Sequence, residues 1–276
     1  METRLLDRTN TEIPAIGMGT WLLVDSIPDA REDRLAIESL QAGIDLGMTL
    51  IDTAESYSDG RAEEIVGKAI RGIRDRVFLA TKVSPENFSF AGIHQAARGS
   101  LKRLGTDCID LYQLHRPSLD HPLEETMKAM EHLVDEGLVR FIGVSNFPVD
   151  LLMTAQKSLT RSRIVANQVR YSVVQRGIEA DLLPYAAEHG VTIIAYSPFE
   201  HGFIFDHRGR ETRNLRRLAE QHGRTFAQVC LNWLIEKPHV VTIPKALQVK
   251  HVRENAGAAG WRMRPEDYRS LDRIPA

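Results

Sequence analysis

The sequence predicts an α/β protein, a (β/α)8 barrel preceded by an N-terminal β-hairpin and spanning residues 1–276 as one domain. Three observations lead there. Eight short apolar runs each end in turn residues, the stretches between them carry helical periodicity, and the intervening helices tend to close on glycine. Eight β/α units of roughly thirty residues fit a barrel of typically about 250 residues.

In chain order, residues 2–13, "ETRLLDRTNTEI", read as a short hairpin turning at Thr9-Asn10 that covers the bottom of the barrel. The barrel strands follow in "PAIGMGTW", "MTLIDTA", "RVFLATKV", "CIDLYQLHR", "VRFIGVSNF", "IVANQVRYS", "VTIIAYSP" and "VVTIPKA". Between them, Ile37, Leu40 and Ile44 share one helical face, as do Leu123, Met127, Met130 and Val134; such stripes pack a helix onto a sheet. The helix ends "DLG", "RLG", "DEG" and "EHG" put glycine where the chain turns back through the left-handed conformation, and tight returns favour adjacent parallel strands. Residues 199–210, after the seventh barrel strand, form a long excursion, and long loops on a barrel's upper face are usually functional.

Composition narrows the function without choosing the fold. A chain of 276 residues, 43% hydrophobic and 26% charged, can bury one barrel-sized core or two smaller ones. The 35 basic and 37 acidic residues leave a net charge of −2, with no basic run dense enough for nucleic acid, so the expected partner is a small molecule. Two cysteines, Cys108 and Cys230, give neither a disulfide framework nor a metal-binding spacing. No secretory signal or membrane-spanning run is present, and a cytoplasmic, monomeric protein is expected.

Polar residues punctuate the strand ends: Asp52, Lys82, His115, Ser145 with Asn146, Gln168, Ser197 and Lys245. In a (β/α)8 barrel all these ends meet on the face where such enzymes do their chemistry. Singly, each has a structural reading: Asp52 as a helix cap, Lys82 as a solvated charge, His115 as a rim histidine. Jointly, an acid, a phenol (Tyr57), an ammonium and an imidazole on successive strands make a proton-transfer centre. Lys82 compensates Asp52 while its charge favours the phenolate of Tyr57, whose reference pKa is about 10.

At these residues the chain resembles the aldo-keto reductases, in their prokaryotic form with a short C-terminus, over essentially its whole length. "IDTAESYSDGRAEEIVGKAI" is similar to that family's D-x-A-x-x-Y-x-x-x-x-x-E-x-x-x-G signature, "LATKV" to its lysine strand and "IDLYQLHRP" to its histidine strand. The resemblance implies a catalytic tetrad of Asp52, Tyr57, Lys82 and His115 and a bound NADPH or NADP+, with NADH also possible. It places Ser145, Asn146 and Gln168 on the nicotinamide carboxamide, Tyr196 against the nicotinamide ring, and Ser197, Pro198, Phe199 and Gly202 in the loop over the pyrophosphate. Pro244, Lys245, His251, Glu254 and Asn255 fall around the adenosine phosphate and adenine. Two positions depart from relatives that demand the phosphorylated cofactor: Ala246 stands where serine or threonine is common, and His251 where arginine is. Glu200 adds an acid to the pyrophosphate loop that must point outward or be paired.

The implied reaction reduces an aldehyde or ketone: hydride moves from the nicotinamide to the carbonyl carbon, Tyr57 protonates the oxygen and His115 orients it. Trp21 forms an apolar substrate wall or, alternatively, caps the core. The chain stops after the helical segment "RPEDYRSLDR", so an open pocket with modest discrimination is expected. Three rivals compete. The "GMG" of residues 17–19 lacks the third glycine of a dinucleotide fingerprint, since Leu22 occupies that position. A metal-dependent hydrolase lacks a histidine cluster in sequence, and no metal is expected. A cofactor-loaded regulatory subunit, of the kind known beside potassium channels, would keep the fold with little turnover.

Overall fold

The computed structural model describes residues 1–206 and 209–273. All eight expected barrel strands are present, after a two-stranded hairpin. In chain order the strands are β1 (Thr3–Leu5), β2 (Glu12–Pro14), β3 (Met18–Gly19), β4 (Leu50–Asp52), β5 (Phe78–Val83), β6 (Ile109–Leu114), β7 (Val139–Ser145), β8 (Ile164–Arg170), β9 (Thr192–Tyr196) and β10 (Val240–Thr242). Strands β3 to β10 pair parallel in sequence order, and helices lie between them. The first and last strands are drawn together by Gly17 N–H donating to Thr242 O (2.8 Å) and Thr242 N–H donating to Ala15 O (2.9 Å), which gives the (β/α)8 barrel.

The hairpin sits at the bottom as expected, but its turn falls earlier. β1 and β2 pair antiparallel with Arg4 opposite Ile13. The N–H of Thr9 donates to Leu6 O (3.1 Å) and that of Leu6 to Thr11 O (2.8 Å), so the turn centres on Asp7-Arg8 rather than Thr9-Asn10. The reason is burial. Leu6 and Ile13 are fully buried in one cluster with Leu50, Phe78, Leu111, Val165 and Val241, the inward residues of the barrel. Seating Leu6 there forces the reversal at the next residue, and Asp7 takes φ 50°, a conformation short polar side chains tolerate.

The helices obey the expected periodicity. In Ala30–Asp45, Leu40 and Ile44 are buried and Ile37 packs at their edge, while the Asp29 carboxylate caps the start by accepting from the N–H groups of Arg31 and Glu32. The 199–210 excursion is more ordered than a loop. It forms a 3₁₀ turn, Glu200–Gly202, and a short helix, Phe203–Asp206, before the helix Arg210–His222. Residues 207 and 208 of that stretch, and 274–276, lie outside the described residues.

Two signature residues near the site prove structural. Glu63 is fully buried, accepting from Thr81 Oγ1 (2.5 Å) and Arg103 Nε (2.6 Å), which ties the helix Arg61–Ala69 to β5 and to the helix Phe90–Leu104. Gly67 lets those two helices touch, since a Cβ there would stand 2.6 Å from Leu104 O. Intrinsic propensity alone would make Gly67→Ala stabilising by about 1 kcal/mol in a helix interior. The clash is with backbone that cannot step aside, so the variant is expected to lose about 1–3 kcal/mol in urea denaturation; a gain in stability would refute the close-approach account.

Candidate active site

A cleft of about 780 Å³ opens at the C-terminal ends of the barrel strands. Its lining includes Trp21, Asp52, Tyr57, His115, Ser145, Asn146, Gln168, Tyr196, Ser197, Pro198, Phe199, Gly202 and Lys245. The barrel's alternation explains why the polar residues gather here. Leu50, Phe78, Ala80, Leu111, Ala166 and Ile194 form the apolar interior, and two residues further along β4, β5, β6, β8 and β9 stand Asp52, Lys82, Gln113, Gln168 and Tyr196. The interior is hydrophobic at its floor and polar at its mouth.

Lys82 is 1% exposed and Asp52 2%, which removes the solvated-charge and helix-cap readings of both. The three hydrogens of the Lys82 ammonium are spent on Asp52 Oδ2 (2.6 Å), Thr53 O (2.9 Å) and Tyr57 Oη (3.1 Å). Since Lys82 can only donate, the Tyr57 oxygen accepts, and the phenolic hydrogen is left to point elsewhere. Burial raises the Tyr57 phenol above its ordinary value; the Lys82 cation opposes this and Asp52 adds to it. Burial pulls the Lys82 ammonium down, but Asp52 and Tyr57 outweigh it and hold Lys82 protonated.

The other carboxylate oxygen of Asp52 accepts from Gln168 Nε2 (2.7 Å) and Gln113 Nε2 (3.2 Å). Gln113 escaped the sequence reading. Its signal was present, since in "LYQLH" it stands two residues before His115, and in the sheet it lies beside Lys82. Gly143, its neighbour on β7, makes room: a Cβ there would meet Gln113 Cγ at 2.9 Å.

His115 follows β6 and sets its ring edge-on to Tyr57, centroids 5.5 Å apart, with Ser56 Oγ 3.4 Å from Nδ1. Burial first, then the Lys82 and Arg116 cations, bring its imidazole down from 6.5 to about 4, so at neutral pH it is uncharged. Across the cleft Tyr196 Oη donates to Asn146 Oδ1 (2.9 Å), whose amide donates to Ser145 Oγ (3.0 Å). Ser145 in turn donates to Gln168 O (2.8 Å). Trp21 is 46% exposed and meets His201 edge-on at 5.0 Å; it is a cleft wall rather than a core cap. His201, Leu22, Ser56, Ser58, Phe205 and Ile243 also line the cleft and were not foreseen.

Glu200 is turned inward and paired. It is 6% exposed, forms an ion pair with Arg170 and accepts from Ser172 Oγ (2.7 Å). Lys245 is exposed at the cleft, and among the described residues no carboxylate pairs with it. Pro244 is buried behind it. His251, Glu254 and Asn255 stand on the helix Val249–Ala256, outside the cleft lining, with His251 Nδ1 3.2 Å from Glu254 Oε2.

The comparisons with known proteins agree with this geometry. The sequence matches the Aldo/keto reductase family over residues 15–276, and the chain belongs to that family. It is 38% identical over 264 residues to the methylglyoxal reductase YeaE of Escherichia coli K12, covering 96% of this chain and 92% of that one. The thermostable aldo-keto reductase Tm1743, solved with the inhibitor epalrestat, superposes with a TM-score of 0.93 at 41% identity, covering 99% of both chains. An aldo/keto reductase of Klebsiella pneumoniae, solved with NADP and acetate, gives a TM-score of 0.86 at 42% identity, covering 95% of this chain and 91% of that one. The chain is an oxidoreductase by these relationships. Among the described residues no helix is long and apolar enough to cross a membrane.

The depressed His115 value carries a stability consequence. With a folded value near 4 against 6.5 when unfolded, the unfolded chain binds more protons between those limits. Its contribution to stability is therefore complete above pH 6.5 and is lost as the pH falls toward 4. Urea midpoints measured across that window are expected to decline less steeply for His115→Asn than for the wild type; equal slopes would show that His115 is not held neutral by burial.

Proposed function

We propose that the chain uses NADPH to reduce the aldehyde carbonyl of small α-dicarbonyl compounds to an alcohol, with Tyr57 as proton donor. The observation that carries this reading is the saturation of Lys82: with all three ammonium hydrogens committed, Tyr57 accepts from it and keeps its own hydrogen for the cleft. The similarity to a methylglyoxal reductase supports the α-dicarbonyl class.

The donor set fits NADPH on several observations. Lys245, which no carboxylate pairs among the described residues, offers a cation for a phosphate. The acid of the neighbouring loop, Glu200, is neutralised by Arg170, so it does not repel one. Gly202 at φ +90° has open space where a Cβ would stand. Ser145, Asn146 and Gln168 would hold the carboxamide and the Tyr196 ring the nicotinamide, with Ser197, Pro198 and Phe199 over the pyrophosphate. Pro244, Lys245 and His251 would meet the adenosine phosphate, and Glu254 and Asn255 the adenine. When bound, NADPH supplies the hydride that reduces the carbonyl carbon.

The chain's own residues do the rest. His115, uncharged at neutral pH, donates an N–H to the carbonyl oxygen and orients it beside Tyr57. Tyr57 releases its proton to that oxygen as negative charge develops there. A phenol raised by burial holds its proton until the acceptor becomes strongly basic, and the phenolate left behind is stabilised by Lys82. Asp52 fixes Lys82, and Gln113 and Gln168 fix Asp52. Trp21 walls the substrate.

Purified protein is expected to consume NADPH when methylglyoxal is added. Tyr57→Phe should lower kcat/KM by about two orders of magnitude or more, the usual scale for a positioned acid, while NADPH still quenches its fluorescence. Near wild-type turnover in that variant would remove Tyr57 from the chemistry. Quenching without turnover in the wild type, across a panel of carbonyls, would favour the regulatory-subunit reading.

NADPH is expected to be preferred over NADH, since Lys245 meets the extra phosphate as a point charge. The preference is expected to be moderate, because His251 replaces arginine and faces Glu254. Lys245→Ala should raise KM for NADPH much more than for NADH; equal losses would mean that the lysine does not read that phosphate.

A further inference from the structure

The histidines look dispersed along the chain, but two of them converge on the outside of the barrel. His94 lies on the helix Phe90–Leu104, His132 on the helix Leu123–Asp135, and Glu136 one turn after His132 at that helix's end. His94 Nε2 is 2.9 Å from His132 Nδ1 and 3.9 Å from Glu136 Oε2, and His132 Nδ1 is 3.9 Å from Glu136 Oε1. None of the three lines the cleft. We propose that His94, His132 and Glu136 form a transition-metal site, suited to Zn²⁺, that clamps these two helices together.

The chemistry of the cluster favours this over a chance meeting of side chains. Phe90 O lies 2.8 Å from His94 Nδ1. A carbonyl can only accept, so Nδ1 carries the hydrogen and Nε2 keeps its lone pair for the cluster. Metal-bound histidines are characteristically oriented in this way by a second hydrogen bond on the far nitrogen. The Phe90 ring stacks on His94, centroids 4.5 Å apart, and meets His132 edge-on at 5.5 Å, which restrains both imidazoles.

Two imidazoles and a carboxylate are a ligand set that suits zinc and disfavours magnesium or calcium, which want oxygen. A tetrahedral Zn²⁺ with bonds near 2.0–2.1 Å separates its ligand atoms by about 3.3 Å. The imidazole nitrogens stand 2.9 Å apart and each lies 3.9 Å from its nearer carboxylate oxygen, with one ligand atom from each residue falling within 4.8 Å of the others, so side-chain rotations are needed to bring three atoms to that spacing. Water would complete the fourth position. Two competitors are built in: His132 Nδ1 donates to His94 Nε2 (2.9 Å) and Arg98 donates to Glu136 (3.2 Å), and the metal must displace both.

The test uses the whole chain, stripped with chelator and titrated with ZnCl₂ at neutral pH by calorimetry. The wild type is expected to bind one Zn²⁺ at a saturable site, and its melting midpoint to rise by several degrees at about a hundredfold excess over Kd, because a ligand that binds only the folded state stabilises it. His132→Ala, a change at a half-exposed position, should melt like the wild type in chelator and lose both the site and the shift. Glu136→Gln should weaken binding about tenfold or more, the scale of losing a ligand's support, and Arg98→Met should tighten it. Co²⁺ should give the visible absorption of a tetrahedral site in the wild type and in Arg98→Met but not in His132→Ala. Wild-type affinity in His132→Ala, unchanged affinity in Glu136→Gln, or an equal shift with MgCl₂ would each overturn the assignment.

Discussion

The site depends on an ion pair that water hardly reaches. Placing Lys82 and Asp52 in the barrel costs several kcal/mol per ion in desolvation, and a single hydrogen bond between them does not offset it. The structure offsets it with further partners: all three hydrogens of Lys82 have acceptors, and both carboxylate oxygens of Asp52 accept, from Lys82 on one and from Gln113 and Gln168 on the other. An ammonium so fully engaged has no freedom to turn. That rigidity dictates which way the Tyr57 hydroxyl faces, and the proposed chemistry follows from the direction of that one hydrogen.

A barrel is suited to hold such a pair because its interior is layered. The floor is sealed by Leu6 and Ile13 from the hairpin, the middle is apolar, and the polar side chains of the cleft stand at the uppermost inward positions. Charge at the mouth of an apolar well is poorly screened, which strengthens the pair, and burial first, with the Lys82 cation second, holds His115 uncharged. The register of β4, β5, β6 and β8 brings four side chains, separated by as much as 116 residues in sequence, into one hydrogen-bonded group.

The loops around this rigid centre are strained. Leu22, Ser58, Asn146, Ser197 and His201 all line the cleft and all take φ between 51° and 61°, where a residue with a Cβ is seldom found. Such conformations persist only where surrounding contacts impose them. Ser58 is held by donating to Val24 O (2.5 Å), and Asn146 by Tyr196 and Ser145. The loop after β9 is pinned from beneath by Glu200, whose carboxylate anchors to Arg170 and Ser172 rather than facing the cleft. An acid that looked repulsive in the sequence is therefore a tether.

How much of this was legible in one dimension follows from what each signal encodes. Alternation of apolar runs with helical stripes located the eight barrel strands and the hairpin, because local periodicity reports directly which face of an element is buried. The ordered motif around Asp52, Tyr57, Lys82 and His115 carried the site, since its spacings are set by local turns and by one strand each. Other features were decided by contacts between distant segments. The hairpin turn shifted to Asp7-Arg8 because Leu6 had to reach the barrel floor, and Glu200 turned inward because Arg170 waits on β8. Gln113 reads as an ordinary strand residue until the sheet register places it beside Lys82 and within reach of Asp52. His94 and His132 are 38 residues apart and meet only because their helices pack side by side. The sequence by itself determined the elements and the chemical groups at their ends; tertiary structure alone decided which of those groups face one another, because distance between remote residues is a property of packing and leaves no local trace in the chain.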